Sequence, residues 1–249
     1  MNFTSQDGRT VRPRAQAAHG RSFGQLAGLY DEVRPHYPAL AIDLATTSWM
    51  GLDVCDLGAG TGILSNSLLE RGANVTAVDP DEAALANNPA RGLVGSAEDT
   101  GLPEASVDVV SVAQAWHWFD EPSAAAEIAR ILRPGGHLVI LINQLDVRFE
   151  WVLRLSRIMH AGDVYRPAYR PSPAGFDLIN HELVEFTTPL TVDGIIDLAR
   201  TRSYWLRSNQ ATRDRVESNL REYFTLEHPV DGELELPYMC LAYVLQVAG

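Results

Sequence analysis

The sequence predicts an α/β fold built on a mostly parallel sheet with helices on both faces. Three observations carry that prediction. Short apolar runs alternate with helical stretches between Leu52 and Asn143, a glycine loop joins the first run to the first helix, and the later runs are apolar throughout. Strand, helix, strand, helix at this spacing calls for right-handed crossovers within one sheet. Runs such as Val109-Val110 and Leu138 to Ile142 suit strands covered on both sides.

Leu52 to Leu57 is the first strand. Thr61 to Arg71 places Ile63, Leu64, Leu68 and Leu69 at helical spacing and stops before Gly72, a helix-ending residue. Asn74 to Asp79 is the second strand, and Asp81 to Asn88 a short helix closed by Pro89. Leu93 to Ser96 is a weaker third strand and Val107 to Val112 a fourth. Ser123 to Leu132 is a helix, and His137 to Ile142 a fifth strand after the turn Pro134-Gly135-Gly136. Beyond Asn143 the pattern changes. Helices are expected at Phe149 to His160, Asp193 to Arg200 and Ala211 to Phe224, a proline-rich loop at Arg166 to Pro173, and a last strand at Leu241 to Val247. Residues 1–22 read as a flexible polar arm and 23–249 as one domain. Its parts are a core (23–143), a substrate-selecting lid (144–230) and a terminal strand (231–249).

A chain of 249 residues can bury a large core without disulfides or metals. Its 32 acidic and 20 basic residues give a net charge of -12, which repels phosphate backbones and excludes nucleic acid and anionic membranes as partners. Every basic residue is arginine. Without lysine there is no P-loop, no pyridoxal-phosphate Schiff base and no kinase phosphate-pairing residue. Cys55 and Cys240 sit in apolar runs and read as core residues. No Cys/His cluster has zinc spacing, so no metal is expected. The N-terminal residues lack the apolar stretch of a secretory signal and no run suffices to span a bilayer, so a cytoplasmic location is expected.

The sharpest feature is Asp56-Leu57-Gly58-Ala59-Gly60-Thr61-Gly62, between the first strand and the first helix. Glycines there permit positive φ and let a ligand approach the backbone. Asp79 ends the next strand, where a carboxylate reaches a ribose diol. Dinucleotides and S-adenosylmethionine both use this arrangement. Ile63 stands where the dinucleotide fingerprint needs its third glycine, and Asp56 would repel a pyrophosphate but attract a cationic cofactor. The Tyr-x-x-x-Lys pair of many short-chain reductases is impossible without lysine.

At this point the sequence resembles the class I S-adenosylmethionine-dependent methyltransferases, in particular the small-molecule branch that includes relatives of trans-aconitate methyltransferase. The resemblance covers about Phe23 to Asn143. It rests on Phe23-Gly24 leading to Tyr30 and Arg34-Pro35-His36-Tyr37-Pro38, on Asp56 to Gly62, and on Val78-Asp79-Pro80. Gly95-Ser96-Ala97-Glu98 with Leu102-Pro103, Gln114-Ala115-Trp116-His117-Trp118-Phe119 and Leu132-Arg133-Pro134-Gly135-Gly136 complete it. It implies a Rossmann-like sheet of seven strands with the last antiparallel, the sixth weakly marked near Leu183 to Phe186. It also implies S-adenosylmethionine as cofactor and S-adenosylhomocysteine as product. Gly58, Ala59, Gly60, Thr61 and Gly62 would then lie under the methionine part, and Asp56 would steer its ammonium. Asp79 and Pro80 would meet the ribose, Ala97 and Glu98 the adenine, with Gln114 and Ala115 alongside. Tyr30 and Arg34 would close over the cofactor, Arg34 pairing its carboxylate.

Methyl transfer to a hydroxyl or ring carbon needs proton removal, and His117, after the fourth strand, is the candidate base. It reads equally as a histidine that only hydrogen-bonds backbone. Tyr30 is a proton relay or a cofactor lid. Trp116, Trp118 and Tyr204, with His117, are candidate substrate contacts, though each aromatic also suits the core. The expected activity moves a methyl group to oxygen or carbon of a small metabolite, aromatic (indole-type) or carboxylic, in secondary metabolism, by a monomer or homodimer. A nicotinamide-dependent oxidoreductase and a non-catalytic cofactor binder are the alternatives.

Overall fold

The structure is a computed structural model that describes residues 32–161 and 165–249, with the backbone of a short pairing between Phe3–Thr4 and Thr10–Val11. Tyr30, and the expected N-terminal arm apart from that pairing, lie outside the described residues.

Seven strands form one sheet: β1 (Asp53–Leu57), β2 (Asn74–Asp79), β3 (Arg91–Val94), β4 (Val107–Ala113), β5 (Leu132–Leu145), β6 (Phe176–Thr191) and β7 (Glu233–Val247). Their order is β3-β2-β1-β4-β5-β7-β6. β1 to β5 pair in parallel, and β7 runs antiparallel between β5 and β6. The helices are α1 (Ala39–Ile42), α2 (Ile63–Glu70), α3 (Glu82–Leu85), α4 (Glu121–Ile131), α5 (Glu150–Ile158), α6 (Val192–Arg200), α7 (Ser203–Arg207) and α8 (Gln210–Glu222). The Rossmann-like expectation holds, and no helix among the described residues is long and apolar enough to cross a membrane.

Alternation along the strands divides the core. Val109, Val139 and Leu141 face one side with Leu64 and Leu68 of α2. Val110, Leu138 and Ile140 face the other with Ile128 and Ile131 of α4. Cys55 and Cys240 are free thiols buried within these layers, and burial pushes both upward in pKa. A third cluster lies beyond the end of β5. There Leu145, Leu155, Met159, Ile195, Leu198, Leu220 and Tyr238 pack helices α5, α6 and α8 onto the strands.

Three expected boundaries change. β5 begins at Leu132 because the ladder jumps from Val107–Leu132 to Val109–His137, and the expected turn becomes a bulge. Gly135 takes φ +82° there, and a Cβ on Gly136 would come within 2.7 Å of the Asp108 carbonyl oxygen. β6 is sixteen residues long rather than a short segment near Leu183 to Phe186, so more of the region beyond Asn143 belongs to the sheet than expected. β7 starts at Glu233, eight residues before Leu241, and carries Pro237 inside it.

Candidate functional site

The glycine loop leaves β1 at Leu57 and enters α2 at Ile63. Gly58, Gly60 and Gly62 hold φ of +71°, +53° and +98°, a region that strains L side chains. The amides of Gly58 and Ala59 donate to the Val78 carbonyl at 2.8 and 3.2 Å, which straps the loop to β2. Asn88 secures the far side, donating from Nδ2 to the Gly60 carbonyl and to Ser65 Oγ, both at 3.2 Å. Thr61 is buried within the loop.

Asp79 ends β2 beside this loop. Its Oδ2 accepts from the Gly60 amide at 2.9 Å and its Oδ1 from the Asp81 amide at 2.8 Å. Burial pushes its pKa up against those two donors. A carboxylate has about four acceptor sites, so the hydroxyls of a ribose still find lone pairs here. Asp81 in turn caps α3, accepting from the amides of Ala83 and Ala84.

Asp56 stands elsewhere than the sequence suggests. Its carboxylate is 1% exposed and lies behind the loop. It accepts from Ser65 Oγ at 2.6 Å and from Ser111 Oγ at 3.4 Å. Burial raises its pKa to about 6, with the two serines opposing and the charge of Asp79 adding to the shift. These contacts make it a support beneath the loop.

On the adenine side, Ser96 Oγ accepts from the amides of Glu98 and Asp99, which folds the chain after β3 into a tight turn. Ala97 is buried, and Glu98 Oε1 accepts from the Asp120 amide at 2.9 Å, tying this turn to the start of α4. Pro80, Val94, Gly95, Ser96, Asp99 and Gly101 line an open cleft of about 400 Å³. Thr100 is locked to Glu127 of α4, which accepts from its amide at 2.9 Å and its hydroxyl at 2.6 Å.

The turn after β4 separates its aromatic residues. Gln114 takes φ +59°, and its side-chain amide donates to the Asn143 carbonyl at the end of β5. Ala115 is buried against the loop, its Cβ 2.4 Å from where a Cβ on Gly58 would stand. Trp116, expected as a substrate wall, is 6% exposed and belongs to the core. Its Nε1 donates to Glu121 at 3.3 Å and its ring meets Phe119 edge-on. Phe119 reaches the loop instead, with Cζ 3.4 Å from the same Gly58 position. His117 is exposed on the turn, its ring 4.7 Å from that of half-buried Trp118.

Tyr204 belongs to another neighbourhood. Its ring stacks on His160 at 3.9 Å and packs against the third cluster, under α7. Arg34 lies there too, donating from Nε and Nη2 to the hydroxyl and carbonyl of Thr201 at 3.0 and 3.1 Å. Those two nitrogens form one of the two forks of a guanidinium, so Thr201 orients the Arg34 side chain through that fork. Asn88 and Glu127 are site-shaping residues that the sequence did not single out, and neither carried a local signal.

A family model described as a methyltransferase domain matches residues 55–140, from β1 into β5. An uncharacterized methyltransferase of Mycobacterium tuberculosis is 41% identical over 229 residues, covering 88% of this chain and 92% of the relative. The chain belongs to this methyltransferase family. An uncharacterized methyltransferase-like protein of Schizosaccharomyces pombe is 27% identical over 233 residues, covering 86% and 91% of the two chains. A solved structure from Anaeromyxobacter dehalogenans, described as a type II methyltransferase, superposes with a TM-score of 0.62. It is 27% identical and covers 86% of this chain and 97% of its own.

This methyltransferase therefore takes S-adenosylmethionine, and the alternatives of an oxidoreductase and a non-catalytic binder fall away. The residues fit that cofactor. The positive-φ glycines leave room beside the backbone, Asp79 keeps acceptor capacity at the end of β2, and the cleft past Pro80 opens on the side expected for adenine.

Proposed function

We propose that this methyltransferase transfers the methyl group to an oxygen or carbon of a small metabolite, aromatic or carboxylic, in secondary metabolism in the cytoplasm. The bound cofactor supplies an electrophilic methyl on a sulfonium. The chain's own work is to seat it, to place the acceptor in line and to remove a proton where the acceptor carries one. Gly58 to Gly62 receive the methionine end, Asp79 and Pro80 the ribose, and Ala97 and Glu98 the adenine, with Gln114 and Ala115 holding the near wall.

The observation that carries this reading is the exposed His117 beside the ring of Trp118, on a turn whose next aromatic, Phe119, borders the glycine loop. An imidazole there can take a proton from a hydroxyl or ring carbon, and Trp118 offers a flat face to a planar acceptor. Tyr204 and the helices after Asn143 shape the acceptor end as its lid. The net charge of -12 further favours a small acceptor over a nucleic acid.

The test supplies methyl-labelled S-adenosylmethionine and a cell extract split by size. Label is expected in the small-molecule fraction, and then in one of a panel of phenols, indoles and organic acids. Label that enters only protein or nucleic acid defeats the proposal.

A further inference from the structure

A second polar corner lies where β5 ends, β7 begins and α6 gives way to α7. Tyr238 sits there opposite Leu145 in the β5–β7 ladder, 3% exposed, its ring stacked on Phe186. Its hydroxyl makes no hydrogen bond of good geometry among the described residues, and the Arg202 guanidinium is the one donor group close enough to act on it. Buried polar groups are seldom left so, and one that is calls for an explanation such as a missing ligand.

Two guanidinium groups bear on this hydroxyl. Arg34 is held by Thr201, and the next residue, Arg202, donates from Nη1 to the Ala161 carbonyl at 2.8 Å. Both side chains are half-buried, and both charges favour the phenolate of Tyr238 against the burial that raises its pKa. Burial keeps the phenol neutral, so two guanidinium groups and a phenol O–H can all donate here. Such a set, carrying two positive charges, matches the oxygens of a carboxylate and repels a cation.

The corner adjoins the cofactor edge through Asn143. This residue's Nδ2 donates to the carbonyls of Pro35 and His36, next to Arg34, while its own carbonyl accepts from Gln114, next to Ala115. Asn143 Oδ1 is a second buried atom without a hydrogen-bond partner, in a side chain 8% exposed.

We propose that Arg202, Arg34 and the Tyr238 hydroxyl form a subsite that holds a carboxylate of the methyl acceptor, so that the acceptor is a small organic acid. The inference rests on the small-molecule reading above and narrows it. A carboxylate could also come from the methionine end of the cofactor, and the test separates the two sources.

The protein, saturated with S-adenosylhomocysteine, is titrated calorimetrically with formate, acetate, succinate and benzoate, each beside its neutral amide. At least one acid is expected to bind at least tenfold more tightly than its amide. Tyr238→Phe and Arg202→Gln are each expected to weaken that acid at least fivefold while S-adenosylhomocysteine affinity stays within twofold. Tyr238→Phe removes only a hydroxyl that makes no well-formed hydrogen bond among the described residues, so its thermal midpoint should stay close to that of the wild type, which keeps the test valid if Arg202→Gln folds poorly. Binding by none of the acids, equal binding of acid and amide, or an unchanged acid affinity in Tyr238→Phe overturns the inference. So does a tenfold loss of S-adenosylhomocysteine affinity in Tyr238→Phe, which would give the carboxylate to the cofactor. The small-molecule reading fails separately, by label passing only into macromolecules.

Discussion

Gly58 and Ala115 meet so closely that a Cβ on the glycine would stand 2.4 Å from the Cβ of the alanine. The contact locks the loop after β1 to the turn after β4, and the φ of +71° at Gly58 forbids an easy retreat. Gly58→Ala should therefore weaken S-adenosylmethionine at least tenfold and cost about 1–3 kcal/mol of stability from overpacking. Adding Ala115→Gly should restore part of the stability, since it relieves the clash but leaves the strained φ. Calorimetry and urea unfolding measure the two effects. Unchanged affinity in the single variant would dismiss the contact as unimportant.

Asp79 is asked to hold the loop and the ribose together. Asp79→Ala should lower cofactor affinity at least tenfold, about 1.4 kcal/mol. Asp79→Asn keeps an acceptor for the Gly60 amide and should lose less. An unchanged dissociation constant in the alanine variant would remove the ribose assignment.

Asp56 predicts a pH signature. Its folded-state pKa, about 6, lies above the ordinary 3.8 because of burial. The native state therefore holds its proton more tightly than the unfolded chain. Stability from this group is fully present below pH 3.8 and is lost as pH rises through 6. Asp56→Asn, neutral throughout, should gain on the wild type by on the order of 2–3 kcal/mol between about pH 4 and pH 7. Urea unfolding without cofactor reads the difference, and a pH-independent gap would contradict the burial.

Glu127 behaves in the opposite sense. The Arg130 guanidinium, with Thr100 assisting, holds its carboxyl at about 2 against an ordinary 4.5. Its contribution is present above pH 4.5 and is lost as pH falls toward 2. Glu127→Gln should cost on the order of 1–2 kcal/mol at neutral pH, reduced by the exposure of Arg130. The cost should shrink as both proteins are acidified. Because Thr100 follows the turn at Ala97 and Glu98, a weaker S-adenosylhomocysteine affinity should accompany it.

His117→Ala tests the base. With a native acceptor that must lose a proton, turnover should fall at least a hundredfold and the pH dependence of kcat should change shape. Full turnover from about pH 6 to pH 9 would reassign His117 to a structural part.

The elements legible in the sequence are those buried on both faces. β2 was read to its residue limits and β1 to within one residue, because their apolar runs end at a glycine loop and an acidic residue. β6 was not legible. It is an edge strand whose Asp177, Asn180, His181, Glu182 and Glu185 leave no apolar run, and Pro189 stands near its end. The glycine loop and Asp79 followed from local spacing. The partnerships of Asn88 with Gly60 and Glu127 with Thr100 join residues 28 and 27 positions apart, and only folding brings them together. Asp56 was read for its charge, but its burial was not visible in the motif.

β6 closes one side of the sheet with sixteen residues, and among the described residues its outer backbone has no strand beside it. An open edge of that length is a template for adding another chain, the first step toward aggregation. The strand carries the usual deterrents. Ile179 sits in a register shift that breaks the ladder between Leu178 and Asn180, acidic side chains recur at Asp177, Glu182 and Glu185, and Pro189 lacks an amide to offer. The features that hid β6 from pattern reading are therefore the ones that protect the folded chain from its own copies.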